Sequence, residues 1–123
     1  MRQYRYPVQK SYWEFPQGMY EANPKIDPTE LAKQELREET GLIAGSLKEI
    51  GFLHEAYGYS NQGFHIFLAS ELEMYEADRE QTEQDMETKR VTFTEFSKLI
   101  ANGEITDAPT VSAFGLLKIK GLI

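Results

Sequence analysis

The segment Glu35-Leu36-Arg37-Glu38-Glu39-Thr40-Gly41-Leu42 puts three carboxylates on one face of a helix. At about 100° per residue, Glu38 and Glu39 lie within roughly 60° of Glu35, one on either side. Arg37, the one base among these eight residues, falls on the opposite face. Glu35 with Glu38 and Glu35 with Glu39 are like-charge pairs at spacings where repulsion is mildly destabilising. They also crowd the C-terminal turn, where the helix macrodipole disfavours anions. A solvated, Glu-rich surface helix is the plain alternative, but such a face would interleave signs. Carboxylates segregated where a helix tolerates them least require a cation, and oxygen donors suit a hard divalent metal.

The helix that must carry them is well marked. Asp27 is a good N-cap, Pro28 suits the first helical position, and Glu30 stands at the capping-box spacing from Asp27. Gly41 supplies a left-handed stop. Ala32 and Leu36 form a narrow apolar edge beside the carboxylates.

With these residues placed, residues 18–42 resemble the Nudix box, a loop–helix–loop that binds Mg²⁺ or Mn²⁺ for pyrophosphate cleavage. The family pattern is Gly, five residues, Glu, seven residues, then Arg-Glu-apolar-x-Glu-Glu-x-Gly-apolar. Glu35 to Leu42 match its tail closely. The front departs from it: Gly18 lies two residues further from the helix than the pattern allows, Ile26 stands at the first Glu position, and Gln34 at the Arg position. The resemblance makes Glu35, Glu38 and Glu39 the metal-facing residues and the two missing groups supporting ones. Removing one of two opposite charges in a half-buried place would strand the other at about 3–5 kcal/mol, whereas removing both strands neither. The paired departure therefore fits an altered but intact scaffold.

The likeness extends along the chain. Gln3-Tyr4-Arg5-Tyr6-Pro7 and Trp13-Glu14-Phe15-Pro16-Gln17-Gly18 resemble the segment before the box in the ADP-ribose pyrophosphatase branch. Gly58-Tyr59-Ser60-Asn61 and His65-Ile66-Phe67-Leu68-Ala69 resemble its substrate-side loop and following strand. Gly103 to Ala108 resembles its C-terminal element. The resemblance implies that Arg5 reaches substrate phosphates, with pairing to a surface carboxylate as the alternative. It also makes Tyr59, beside Ser60, a candidate to stack on a base or ribose. The general base would come from an acidic loop late in the chain, here residues 80–87, with Glu83 first, Asp85 second and Glu35 third. Gln84, which falls on the aligned position, cannot accept the proton. Phe15-Pro16-Gln17-Gly18 also resembles Nudix enzymes acting on dinucleoside polyphosphates and capped RNA.

Composition bounds the partners. The 123 residues are expected to form one domain, with enough chain for a core. No cysteine is present, which excludes disulfides, thiolate ligands and a cysteine nucleophile. The net charge of −7, from 20 acidic and 13 basic residues, disfavours broad binding to nucleic acid. No apolar run approaches a membrane span and no signal-peptide core opens the chain, so a cytoplasmic location is the default expectation. His54 and His65 have no second His or Cys at metal spacing and read as hydrogen-bonded residues within strands. Trp13 reads as core.

Strands are expected at residues 12–15, 47–56, 64–72 and 90–93, with a polar turn over 58–63. The near-continuous apolar run from Phe64 suggests a buried central strand. Helices are expected over residues 95–101 and about 109–118, the latter capped by Asp107. The alternation of helices and strands makes α/β with a mixed sheet the expected fold class, and the resemblance implies a Nudix-type α/β/α sandwich. The resemblance places one or two further strands before Gln3, for which the present sequence has no room, and an edge left open in this way invites pairing with a second copy. A homodimer is the resulting expectation, with a shortened form of weakened stability as the alternative. The expected reaction is metal-dependent hydrolysis of a nucleoside diphosphate derivative, ADP-ribose or a related nucleotide sugar first. Dinucleoside polyphosphates, nucleotide pyrophosphohydrolysis, or a catalytically inactive nucleotide sensor or interaction module are the alternatives.

Overall fold

The computed structural model describes residues 1–5, 10–17, 27–74 and 88–123, with the side chains of 2–5 and 10–12 outside that description. Its contacts fall into two compact units. One comprises Met1–Phe15 with Asp85–Ile123, the other Pro16–Gln84.

In the first unit, Arg2–Arg5 (β1) pairs antiparallel with Lys10–Trp13 (β2), Arg2 opposite Trp13 and Arg5 opposite Lys10. Reciprocal backbone bonds of 2.6 Å between Met1 and Glu14 extend the ladder by one pair. The sequence predicts this second strand two residues later and gives no clear signal for the first. Trp13 is half-buried.

Phe93–Ala101 (α2) begins earlier than expected and displaces the strand expected at 90–93. Val91, Thr92 and Phe93 favour a strand by composition. Thr92-Phe93-Thr94-Glu95 is, however, a capping-box sequence, and the Thr92 hydroxyl accepts from the Glu95 N–H at 3.1 Å. Capping wins over local β-propensity.

Ala108–Ile119 (α3) starts at Asp107, as its sequence indicates. The Asp107 carboxylate accepts from the Thr110 N–H at 3.0 Å and the Thr110 hydroxyl at 2.6 Å. Thr110 is 1 % exposed, and its oxygen also accepts from the Phe15 N–H at 3.1 Å. Phe15 stacks on Phe96, and Phe96 meets Phe114 at a tilt, with ring separations of 4.8 Å at both steps. Ile105, Ala113, Phe114 and Leu117 complete this unit's buried apolar set with Met1.

The second unit holds Pro28–Thr40 (α1), Leu42–His54 (β3) and Gly63–Met74 (β4). β3 and β4 form one long antiparallel ribbon, from Leu42 opposite Met74 to His54 opposite Gly63, and α1 packs against both strands. A bulge between Glu49 and Gly51 shifts the register at Ile50, which is buried.

β3 begins five residues before the expected position, because Gly45 does not break the strand. A Cβ at Gly45 would sit 2.9 Å from the Cβ of Glu71, so glycine answers a close cross-strand approach. Glu71 itself has φ 54°, a left-handed conformation rare for a side-chain-bearing residue.

The expectation of a buried central strand from Phe64 is corrected. Among the described residues β4 pairs with β3 alone, and Ile66 is its one buried side chain. The apolar run reflects half-buried residues on both faces, with His65 and Phe67 on the face that carries Phe52. Both described pairings are antiparallel. No helix among the described residues is long and apolar enough to cross a membrane.

Candidate functional site

α1 positions the three glutamates as its sequence implies. Asp27 occupies the N-cap and Pro28 the first turn, but the Asp27 side chain makes no capping bond. The expected capping box is absent: Glu30 instead meets Lys33 at 3.5 Å. The helix ends at Gly41, with φ 75° and ψ 15°, whose N–H donates to the Arg37 carbonyl at 2.9 Å. Thr40 closes the last turn by donating to the Leu36 carbonyl at 2.5 Å and accepting from the Leu42 N–H at 3.2 Å. This end is therefore tied firmly to the start of β3.

The three carboxylates sit in different surroundings. Glu35 and Glu38 are half-buried, while Glu39 is 4 % exposed. Glu39 Oε2 accepts from the Gln17 backbone N–H at 3.1 Å, which links the helix to the segment before the box. Glu38 Oε1 accepts from the Gln34 side-chain amide at 3.0 Å. Among the described residues no base lies within ion-pair distance of Glu38.

The glutamates share a helix face, but among the described residues no three acidic or histidine side chains converge closely enough to hold an ion. The donor chemistry nevertheless fits a divalent metal. It consists of carboxylates alone, and Glu38 is held by an uncharged group.

Beside this face runs an open cleft of about 520 Å³, lined by Glu30, Lys33, Gln34, Arg37, Glu38 and the first residues of β3. It brings two bases to the flank of Glu38 within a strongly acidic chain.

Tyr59 and Ser60 lie in the loop joining β3 to β4, at the opposite end of β3 from Gly41. Tyr59 is 91 % exposed. Its N–H and that of Ser60 both donate to the Ala56 carbonyl, at 3.1 and 2.9 Å. The Ser60 hydroxyl accepts from the Gln62 N–H at 3.1 Å, so it holds its own turn. His65 contacts Glu49 through Nδ1 at 2.5 Å, in keeping with the reading of a hydrogen-bonded histidine. His54 packs edge-on against Phe52 and Tyr57.

Glu83 and Asp85, Gln84 between them, Gly18, Ile26 and the side chain of Arg5 lie outside the described residues. Two donors to the site escaped sequence reasoning. Gln34 registered only as a missing arginine, although its (i, i+4) spacing from Glu38 is itself a signal for such a bond. The Gln17 N–H had none, since its partner is 22 residues away.

This chain is similar in sequence and in fold to known proteins. Residues 1–114 match the NUDIX domain. The chain is 34 % identical over 121 residues to an ADP-ribose pyrophosphatase of Bacillus subtilis (strain 168), covering 98 % of this chain and 64 % of that protein. It is 29 % identical over 121 residues to an ADP-ribose pyrophosphatase of Mycobacterium tuberculosis (strain ATCC 25618 / H37Rv), covering 98 % and 57 %. The chain thus spans less than two thirds of the length of these relatives. In fold it is similar to a crystal structure of an ADP compounds hydrolase, with a TM-score of 0.84 and 24 % identity over 99 % of this chain and 66 % of that one.

Proposed function

Because the chain belongs to the Nudix family, we propose that it hydrolyses a diphosphate linkage in a nucleoside diphosphate derivative, with ADP-ribose or a related nucleotide sugar as substrate. Water would add to one phosphorus while the bridging oxygen leaves with the other, giving a nucleoside monophosphate and a sugar phosphate. The single observation that carries the proposal is the placing of Glu35, Glu38 and Glu39 on one helix face, with Glu38 oriented by the uncharged Gln34 amide. The names of the two relatives support the substrate class.

Glu35, Glu38 and Glu39 would hold Mg²⁺ or Mn²⁺. Such an ion supplies charge neutralisation for the phosphoryl oxygens and acidifies a water. Glu83, then Asp85, then Glu35 are the proposed acceptors of that water's proton. Arg5 is the proposed phosphate contact, and Tyr59 with Ser60 the contact to base or ribose. The exposure of the Tyr59 ring supports the stacking role. One NUDIX match running through both compact units supports a single functional domain. A homodimer and a cytoplasmic location belong to the same proposal.

A second reading has its own observation. The lack of a converging ligand set among the described residues favours a Nudix fold kept as a nucleotide sensor or interaction module. One experiment separates the two. The chain is offered ADP-ribose, other nucleotide sugars and diadenosine polyphosphates with Mg²⁺ or Mn²⁺, and release of nucleoside monophosphate is followed. Metal-dependent turnover is expected, reduced more than about a hundredfold in Glu38→Gln. No turnover on any substrate by folded protein, even with Mn²⁺, selects the sensor.

A further inference from the structure

Gln34 stands one helical turn before Glu38, and its amide donates to Glu38 Oε1 at 3.0 Å. Two bases lie in the same cleft, yet neither takes that place: Lys33 meets Glu30 at 3.5 Å, and Arg37 is not within ion-pair distance of Glu38. The carboxylate is therefore oriented by a group that carries no charge. An ammonium or guanidinium there would fix the same oxygen and also cancel its field. An amide fixes the oxygen and leaves the negative charge intact. That distinction matters to a divalent cation, whose attraction to the site depends on uncompensated carboxylate charge.

We propose that Gln34 is a positioning residue for Glu38, a neutral clamp that presents the carboxylate to a divalent cation at full charge. The clamp rests on the metal-dependent reading of the site. It predicts that two properties of residue 34 act separately, its reach as a donor and its lack of charge.

Mn²⁺ binding to the full chain, measured by titration calorimetry without substrate, tests both. Gln34→Met keeps the length and removes the donor. It is expected to bind Mn²⁺ roughly tenfold more weakly, as loss of a group orienting a metal ligand does, with an unchanged circular dichroism spectrum. Gln34→Lys keeps a donor and adds charge. It is expected to bind more weakly than the parent at low ionic strength, with the gap closing as salt screens the added charge. Equal affinity in Gln34→Lys and the parent at low ionic strength overturns the requirement for an uncharged donor. Mn²⁺ affinity in Gln34→Met equal to the parent's overturns the clamp. Equal affinity in the parent and Glu38→Gln removes Glu38 from the metal site, and overturns the metal reading together with the clamp.

Discussion

α1 and α3 are of nearly equal length and begin alike, each with an aspartate at the N-cap and a proline in the first turn. What they bury differs. α3 buries Thr110, Ala113, Phe114 and Leu117, so its interior is mostly apolar. α1 buries Glu39 and Thr40, and its interior is a carboxylate beside a hydroxyl. The caps differ in the same sense. Asp107 accepts two bonds from Thr110, whereas the Asp27 side chain makes no cap bond. One helix is organised to hold a unit together. The other carries like charges at its unfavourable end, an arrangement that gains from a bound cation and loses without one.

The largest break in this comparison should come from α3's core. Phe114→Ala removes a ring packed at a tilt 4.8 Å from Phe96, and denaturant unfolding should show a loss of about 3–5 kcal/mol. Removing caps should give a smaller and unequal pair of effects. Asp107→Ala should cost about 1–2 kcal/mol, while Asp27→Ala should change stability by no more than a few tenths. Equal costs from the two substitutions would erase the contrast between the helices. The smallest effect should have the opposite sign. Glu38→Gln, unfolded in the presence of a chelator, should be more stable than the parent by about 0.3–1 kcal/mol, because it relieves repulsion by Glu35 and an unfavourable charge near the helix C-terminus. A loss of stability under these conditions would mean that Glu38 supports the metal-free fold instead of burdening it.

The helices were readable because their signals are local. Pro28 and Gly41 mark α1, Asp107 marks α3, and the glutamate spacing needs only the helical period. The extent of β3 was not readable in the same way. Gly45 looks like a breaker until Glu71, far along the chain, is seen to occupy the space a side chain would need. α2 was readable in principle, but three strand-favouring residues hid the capping box at Thr92. At the site, the identity of the glutamates is local information, and who holds them is not. The Gln17 contact to Glu39 depends on how a loop closes over a helix. The Gln34 contact lies within reach of the sequence, but the arginine of the family pattern draws attention away from the residue's own neighbour, Glu38.

The pairing of Gly45 with the left-handed Glu71 bears on how the β3–β4 ribbon assembles. A hairpin of this length has many nearly equivalent misalignments, since sliding by two residues preserves the alternation of faces. Glu71 needs an opposing residue without a side chain, and every position close to Gly45 on β3 has one, from Ile43 and Ala44 to Ser46 and Leu47. Each slipped arrangement would therefore meet a steric clash that the native one avoids. During folding the ribbon would discard wrong alignments by shape at one rung, before the hydrophobic contacts along its length had to distinguish them.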